Sequence, residues 1–371
     1  MKILITGDLV INREYKTENI NDSIKSLFKQ SDLSIVNLEA PVTDSTSKIL
    51  KTGPNLKSNK ASTLEIFKAL NIDVVTLANN HILDYDEPGV ADTLKFCKKN
   101  GIETVGAGNN LKEALQTLYL DSEEGKIAIV NFAENEWASA TDNSAGAHPM
   151  DVIDNARQIK DAKKQADFVF VIVHGGHEYY NLPSPRMQKQ YRFYAEQGAD
   201  IVIGHHTHCI SGNEIHKGVP IYYSLGNFLF TSQSSINDWY TGLVLEVEIK
   251  GGKLFTQLHP LEQGVGTFKL SLLNNERKSE IINRIYSYNN IIADEVMLKN
   301  EWDNYVKQKS KEYLSYWSPL SFIKNRYIGA ILRRLPIKFI NKKGLVLYLN
   351  LMRCEAHKNI SQEVIGKYLK K

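Results

Sequence analysis

Through the first two-thirds of the chain, short apolar runs recur, and each stops at Gly, Asn, Glu, Phe or His: KILITG (2–7), LSIVNLE (33–39), DVVTLANN (73–80), KIAIVNF (126–132), DFVFVIVHGG (167–176) and DIVIGHH (200–206). Runs this short, rich in Val and Ile and closed by loop-forming residues, predict buried strands that end in functional loops. Helical patterns lie between them. In ASTLEIFKALN (61–71), Leu64, Phe67, Ala69 and Leu70 share one face, and GVADTLKFCKKNG (89–101) closes at Gly101 as a C-cap. Strands alternating with helices make an α/β layout. After GVPIYYSLGNFLF (218–230) the pattern lengthens into TGLVLEVEIKGGKLFTQLHP (241–260), which predicts a hairpin turning at Gly251 and Gly252. A second sheet, at least partly antiparallel, follows from that.

From about residue 266 the chain turns polar with helical periodicity. A boundary is therefore expected near residue 265, with a main domain over 1–265 and a helical, basic extension over 266–371. Between residues 324 and 343 every charged residue is basic, and Phe322, Ile323, Ile328, Ile331 and Leu332 are interleaved with them. That mixture suits peripheral contact of residues 320–345 with an anionic membrane or a polyanion. The plainer reading is a solvated basic face on a small helical bundle, and Pro336 favours it by interrupting any long amphipathic helix.

At 371 residues, 42% hydrophobic and 23% charged, the chain is long enough to bury a large core. A net charge of +3 implies no polyanionic partner for the molecule as a whole, and nucleic acid is not expected. Cys97, Cys209 and Cys354 are odd in number and far apart, which excludes a disulfide framework or a CxxC metal site and suits a reducing compartment. The opening MKILITGDLVINREYKTE lacks the longer apolar core of a signal peptide, and no run reaches about 18 apolar residues. The cytoplasm is the expected location, with contact to the inner face of the membrane through the basic segment.

The chemistry collects where the strands stop. DIVIGHHTHCISG (200–212) crowds His205, His206 and His208, three of the ten histidines, into four positions. Crowded imidazoles repel once protonated, and a divalent cation is the common reason to place them together. The other strand ends present Asp8, Asn37 with Glu39, Asn79 to His81 with Asp84, and His174 with His177 and Glu178. In an open α/β sheet such ends line one crevice. Carboxylate and amide oxygens mixed with imidazoles suit Mn, Fe, Zn or Mg, and a carboxylate shared by two ions would make a two-metal hydrolytic centre. Asn79 reads as the shaper of an Asx turn. Arg13 is a candidate for an anionic substrate group or for a structural salt bridge, Glu178 for orienting substrate or a ligand histidine, and Asn227 for holding a loop or touching the substrate.

The stretches GDLVINR, NLEAPVT, LANNHILDYDEPGV, VGAGNNLKEA, the segment from HGGHEYY to GHHTH, and GVPIYYSLGNFLF resemble, in order, the motifs of the CapA family of poly-γ-glutamate capsule synthesis, itself related to the calcineurin-like metallophosphoesterases. The resemblance covers roughly residues 1–250. It implies a four-layer αββα sandwich of two mixed sheets flanked by helices. It also implies one or two divalent metal ions held by Asp8, Glu39, Asn80, His174 and His208 with His205 or His206, and His81 as general acid or transition-state donor. Asp84, near it in sequence, is a candidate for the catalytic pair or for shaping an Asx turn. The relatives usually begin Asp-x-His, whereas Val10 stands here, so one ion loses an imidazole unless a group such as Asn12 substitutes. Two functions remain open: a hydrolase of a phosphoester or anionic polymer, or a non-catalytic assembly or polymer-binding component with a vestigial metal site.

Overall fold

The structure is a computed structural model and describes residues 1–316, 327–328, 331 and 342–369. Its first sheet runs β16 (Leu270–Leu272), β15 (Lys253–Gln263), β14 (Thr241–Lys250), β1 (Lys2–Val10), β2 (Leu33–Leu38), β3 (Val74–Thr76) and β4 (Glu103–Val105), with β13 (Asn227–Phe230) joining the end of β1. The second runs β11 (Asn213–His216), β12 (Val219–Tyr222), β10 (Ile201–His205), β9 (Phe168–His174), β7 (Ile127–Ala133) and β6 (Leu118–Leu120). A two-residue pair, β5 (Ala107–Gly108) with β8 (Gly146–Ala147), forms a small third sheet. β1 to β4 run parallel to one another, β1 pairs antiparallel with β14, and β14 and β15 are the antiparallel hairpin foreseen at Gly251 and Gly252.

Side chains on a strand alternate between faces, so each sheet has two faces to cover. Ile3, Ile35 and Val74 of the first sheet share one core with Ile129, Phe170 and Ile203 of the second. The opposite face of the first sheet, with Leu4, Val36 and Val75, packs on α1 (Asp22–Lys29), α2 (Lys60–Ala69) and α3 (Asp86–Lys99) through Phe28, Phe67 and Phe96. Past the short α4 (Leu111–Ala114), α5 (Val152–Lys163) and α6 (Pro185–Glu196) cover the outer face of the second sheet through Ile159, Tyr191 and Tyr194. The result is helix, sheet, sheet, helix, as the resemblance implies.

The compact unit extends to Lys299, beyond the composition change near residue 265. α7 (Asn275–Ala293) reads as polar because only a narrow stripe is buried, yet its Ile281 and Ile285 enter the core between the sheets and its Ile292 the core of the second helix layer. The second unit, Asn300–Lys371, takes up most of α8 (Glu295–Tyr316) and holds α9 (Lys342–Arg353) and α10 (Glu355–Leu369). The segment 320–345, singled out for membrane contact, falls largely outside the described residues.

Candidate metal centre

Two backbone irregularities aim the central side chains. The β1–β2 register shifts between Thr6 and Asp8, where a Cβ on Gly7 would meet the Gly226 carbonyl oxygen at 1.8 Å. Only glycine permits that approach, and the bulge re-aims Asp8 beside Asn227, its partner on β13. After β10, His206 (φ 88°) and His208 (φ 54°) both adopt left-handed backbone, which is rare for residues with a Cβ and concentrates at functional sites. Asn79 forms the expected Asx turn, its Nδ2 donating to the Leu38 carbonyl and its Oδ1 accepting from the His81 amide.

Two groups of buried ligand atoms form, and Glu39 belongs to both: Glu39, His174 and His206, and Asp8, Glu39 and His208. In the first, His174 Nε2 lies 3.1 Å from His206 Nδ1, 3.4 Å from Glu39 Oε1 and 3.0 Å from Asn80 Oδ1. Atoms bound to one cation at about 2.1 Å stand roughly 3.0–3.4 Å apart, so this spacing is that of a coordination sphere. In the second, His208 Nδ1 is 3.4 Å from Asp8 Oδ2, and its Nε2 is 3.8 Å from Glu39 Oε1. Both oxygens of Glu39 are buried without a hydrogen-bond partner among the described residues. A buried carboxylate that accepts nothing is costly unless a cation faces it, so the residues present fit divalent metal.

The titration behaviour has the same cause. Burial, reinforced by the Asp8 charge, pushes the Glu39 carboxyl up to about 8. Burial also holds the His174 and His205 imidazoles down near about 4, and that of His206 well below the ordinary histidine value. For Asp8, burial acts upward, but the hydrogen bond and charge of His208 overcome it and keep the carboxyl well below the usual range. His208 goes the other way: burial acts downward, and the Glu39 and Asp8 charges drive it up to about 10. Neutral imidazole is the form that ligates metal.

His81 and Asp84 come together as paired, with His81 Nδ1 2.6 Å from Asp84 Oδ2. A third member joins them that the sequence did not single out. Lys51, its side chain 3% exposed, forms a close ion pair with Asp84 Oδ1 and has its Nζ 3.1 Å from His81 Nδ1. It arrives on an irregular polar loop, where no periodicity marks a buried lysine.

Of the two adjacent histidines, His206 enters a ligand group. His205 lies outside both, its Nδ1 3.8 Å from Asp8 Oδ1, because it is still paired with His174 on the strand ladder. Asn227 bears on a ligand: its Oδ1 is 3.0 Å from His208 Nδ1, and its Nδ2 donates to the Trp239 carbonyl at 3.0 Å. Trp239 packs on the His208 ring at 4.9 Å between centroids. Glu178 is exposed beside Tyr179, and its charge reaches Glu39 and His208. Arg13 is exposed and stacks over Phe268 at 5.0 Å. Val10 is buried in the helix-side core, and Asn12 bonds Thr231 and Ser232, so neither replaces the missing imidazole.

A four-layer αββα sandwich with a buried glutamate common to two carboxylate and imidazole groups defines the class of proteins with a candidate dinuclear metal centre at the strand ends. The profile of the bacterial capsule synthesis protein family PGA_cap matches residues 2–232, and the chain belongs to that family. It is 35% identical over 235 residues to the PGA biosynthesis protein CapA of Bacillus subtilis, covering 60% of this chain and 62% of the relative. It is 34% identical over 245 residues to the capsule biosynthesis protein CapA of Bacillus anthracis, covering 62% and 60%. The chain thus spans about three-fifths of the length of these curated relatives. Among solved structures it is similar to a novel phosphatase from Mycoplasma pneumoniae, with a TM-score of 0.41, 14% identity and coverage of 76% of this chain and 96% of that one.

Proposed function

We propose that the chain is a metal-dependent hydrolase of capsule or poly-γ-glutamate metabolism, acting on an anionic polymer or a phosphoester with one or two divalent ions (Mn, Fe, Zn or Mg). The supporting observation is the convergence of Glu39, Asn80, His174 and His206 at ligand spacing, with the glutamate oxygens left without a hydrogen-bond partner among the described residues. Bound there, a divalent ion supplies a Lewis acid and lowers the pKa of water at the site. Asp8 and Glu39 offset its charge, and His174 and His206 offer neutral nitrogens. Asn227 and Trp239 hold the His208 ring. His81, oriented by Asp84 and Lys51, is the proton donor to the leaving group, a role typically worth about 10² to 10⁴ in rate. Glu178 orients the substrate at the mouth of the site.

The buried Val10 favours a second reading, in which the centre is vestigial and the protein binds polymer without cleaving it. Metal content of the purified protein, with hydrolysis of a generic phosphodiester and of a γ-glutamyl oligomer by wild type and His81→Ala, separates the two. The hydrolase reading requires turnover that falls at least about a hundredfold in His81→Ala with metal content unchanged. Metal without turnover of either substrate favours polymer binding, and failure to bind metal at all overturns the assignment of the centre.

A further inference from the structure

Charge is divided unevenly along the chain. Residues 320–371 hold twelve Lys and Arg against two acidic residues, Glu355 and Glu363, while the whole chain is only +3, so residues 1–319 carry −7. The same basic end exposes apolar surface. On α9 and α10, Val346, Leu347, Leu349, Met352, Ile360 and Val364 are between 47% and 66% exposed, and Lys343, Arg353 and Lys358 are exposed among them. A solvated basic bundle would bury these aliphatic side chains, and a binding face for a soluble polyanion would have no use for them.

We propose that α9 and α10 form a docking surface for an anionic lipid bilayer, lying in the interface with aliphatic side chains among the acyl chains and Lys and Arg at the headgroups. Length separates lying from spanning. The apolar stretch of α9, Leu345–Met352, is about 12 Å long at 1.5 Å per residue, against about 30 Å of hydrocarbon. It therefore reaches only the headgroup and acyl boundary. Among the described residues no helix is long and apolar enough to cross a membrane. The opposite charge of the rest of the chain adds direction, since an anionic surface attracts the basic end and repels the remainder.

The test is co-sedimentation of the full chain with phosphatidylcholine vesicles, with and without roughly one-third phosphatidylglycerol. The expected result is binding to the anionic vesicles alone, weakened by salt, and reduced on the order of tenfold both by K342E/K343E and by L347S/L349S. The substituted leucines are exposed, and unchanged helical circular dichroism with unchanged metal binding verifies that the variants fold. Equal binding to neutral vesicles, variants that bind like wild type, or a stable dimer that L347S/L349S converts to monomer without affecting vesicle binding would each overturn the proposal. So would binding to soluble polyglutamate or DNA in place of vesicles.

Discussion

His174 Nε2 and His206 Nδ1 stand 3.1 Å apart, and burial drives both rings to the neutral form. Lone pairs directed at a common point repel unless a proton or a cation lies between them. Glu39 Oε1 lies 3.4 Å from His174 Nε2, and neither Glu39 oxygen accepts a hydrogen bond among the described residues, so one divalent cation would serve the unmet lone pairs of all three side chains.

Glu39→Gln therefore acts in opposite directions with and without metal. Below pH 4.5 the carboxyl is protonated in both folded and unfolded chains; between 4.5 and about 8 the unfolded chain ionises and the folded one does not. This group's contribution to stability is thus full below pH 4.5 and is lost as pH rises through about 8. In chelator, Glu39→Gln melts above wild type at pH 8, and the gap closes toward pH 5. With manganese the order reverses, since the shared ligand is gone. Thermal melts at the two pH values with EDTA or Mn check both signs.

The candidate centre could be read from the sequence because its residues sit where apolar runs break. Asp8, Glu39, His174 and the histidines at the end of β10 interrupt a buried strand or lie within a few residues of its end, Asn80 lies four residues past β3, and parallel strands bring such ends to one edge. The runs themselves marked only an α/β layout with a second, partly antiparallel sheet; the layer order was implied by the family resemblance. Three things were not legible. The boundary was hidden because α7 buries one narrow stripe of a polar helix. The choice between His205 and His206 depended on where the strand ladder stops, a matter of one residue. Lys51 was invisible because its burial is set by Asp84, a residue 33 positions away in sequence.

Lys51 and Asp84 form a buried ion pair, and breaking such a pair leaves one charge without compensation. Lys51→Met should destabilise the protein by about 3 to 5 kcal/mol. Adding Asp84→Asn removes the stranded carboxylate and restores part of that loss, giving a coupling of more than about 1 kcal/mol in a double-mutant cycle. Denaturant unfolding of the four proteins measures it. Strict additivity would mean that the amine and the carboxylate do not compensate each other.

Support for His208 extends past the matched family region. Arg284 on α7 donates to Asp238 at 2.7 Å, Asn181 holds the other oxygen of Asp238 at 2.9 Å, and the next residue, Trp239, backs the His208 ring. Replacing the direct partner, Asn227→Ala, should weaken the ion at Asp8 and His208 by about 10 to 100-fold. Arg284→Ala acts at two removes and should weaken it by less than about tenfold. In both, the ion at His174 and His206 should be little changed. A two-step metal titration resolves the sites, and equal loss at both would indicate general loosening in place of ring positioning.

His148 supplies an acid-stability test away from the ligands. Its Nδ1 is 2.9 Å from the Asn131 carbonyl oxygen and its Nε2 is 3.0 Å from Asn155 Nδ2, while burial depresses its pKa from 6.5 to about 4. The ring folds neutral. Above pH 6.5 it is neutral in both states; as pH falls toward 4 the unfolded chain takes up a proton that the folded chain refuses, so stability declines over that window and levels off below it. The shift corresponds to on the order of 3 kcal/mol. His148→Gln keeps a donor and an acceptor in nearly the same places but has no proton to gain, so its stability should fall less steeply than that of wild type between pH 6.5 and 4. The ligand histidines titrate alike in both proteins and cancel in the difference. Urea unfolding in EDTA across that range measures the two slopes, and parallel curves would show that His148 is already protonated in the folded chain.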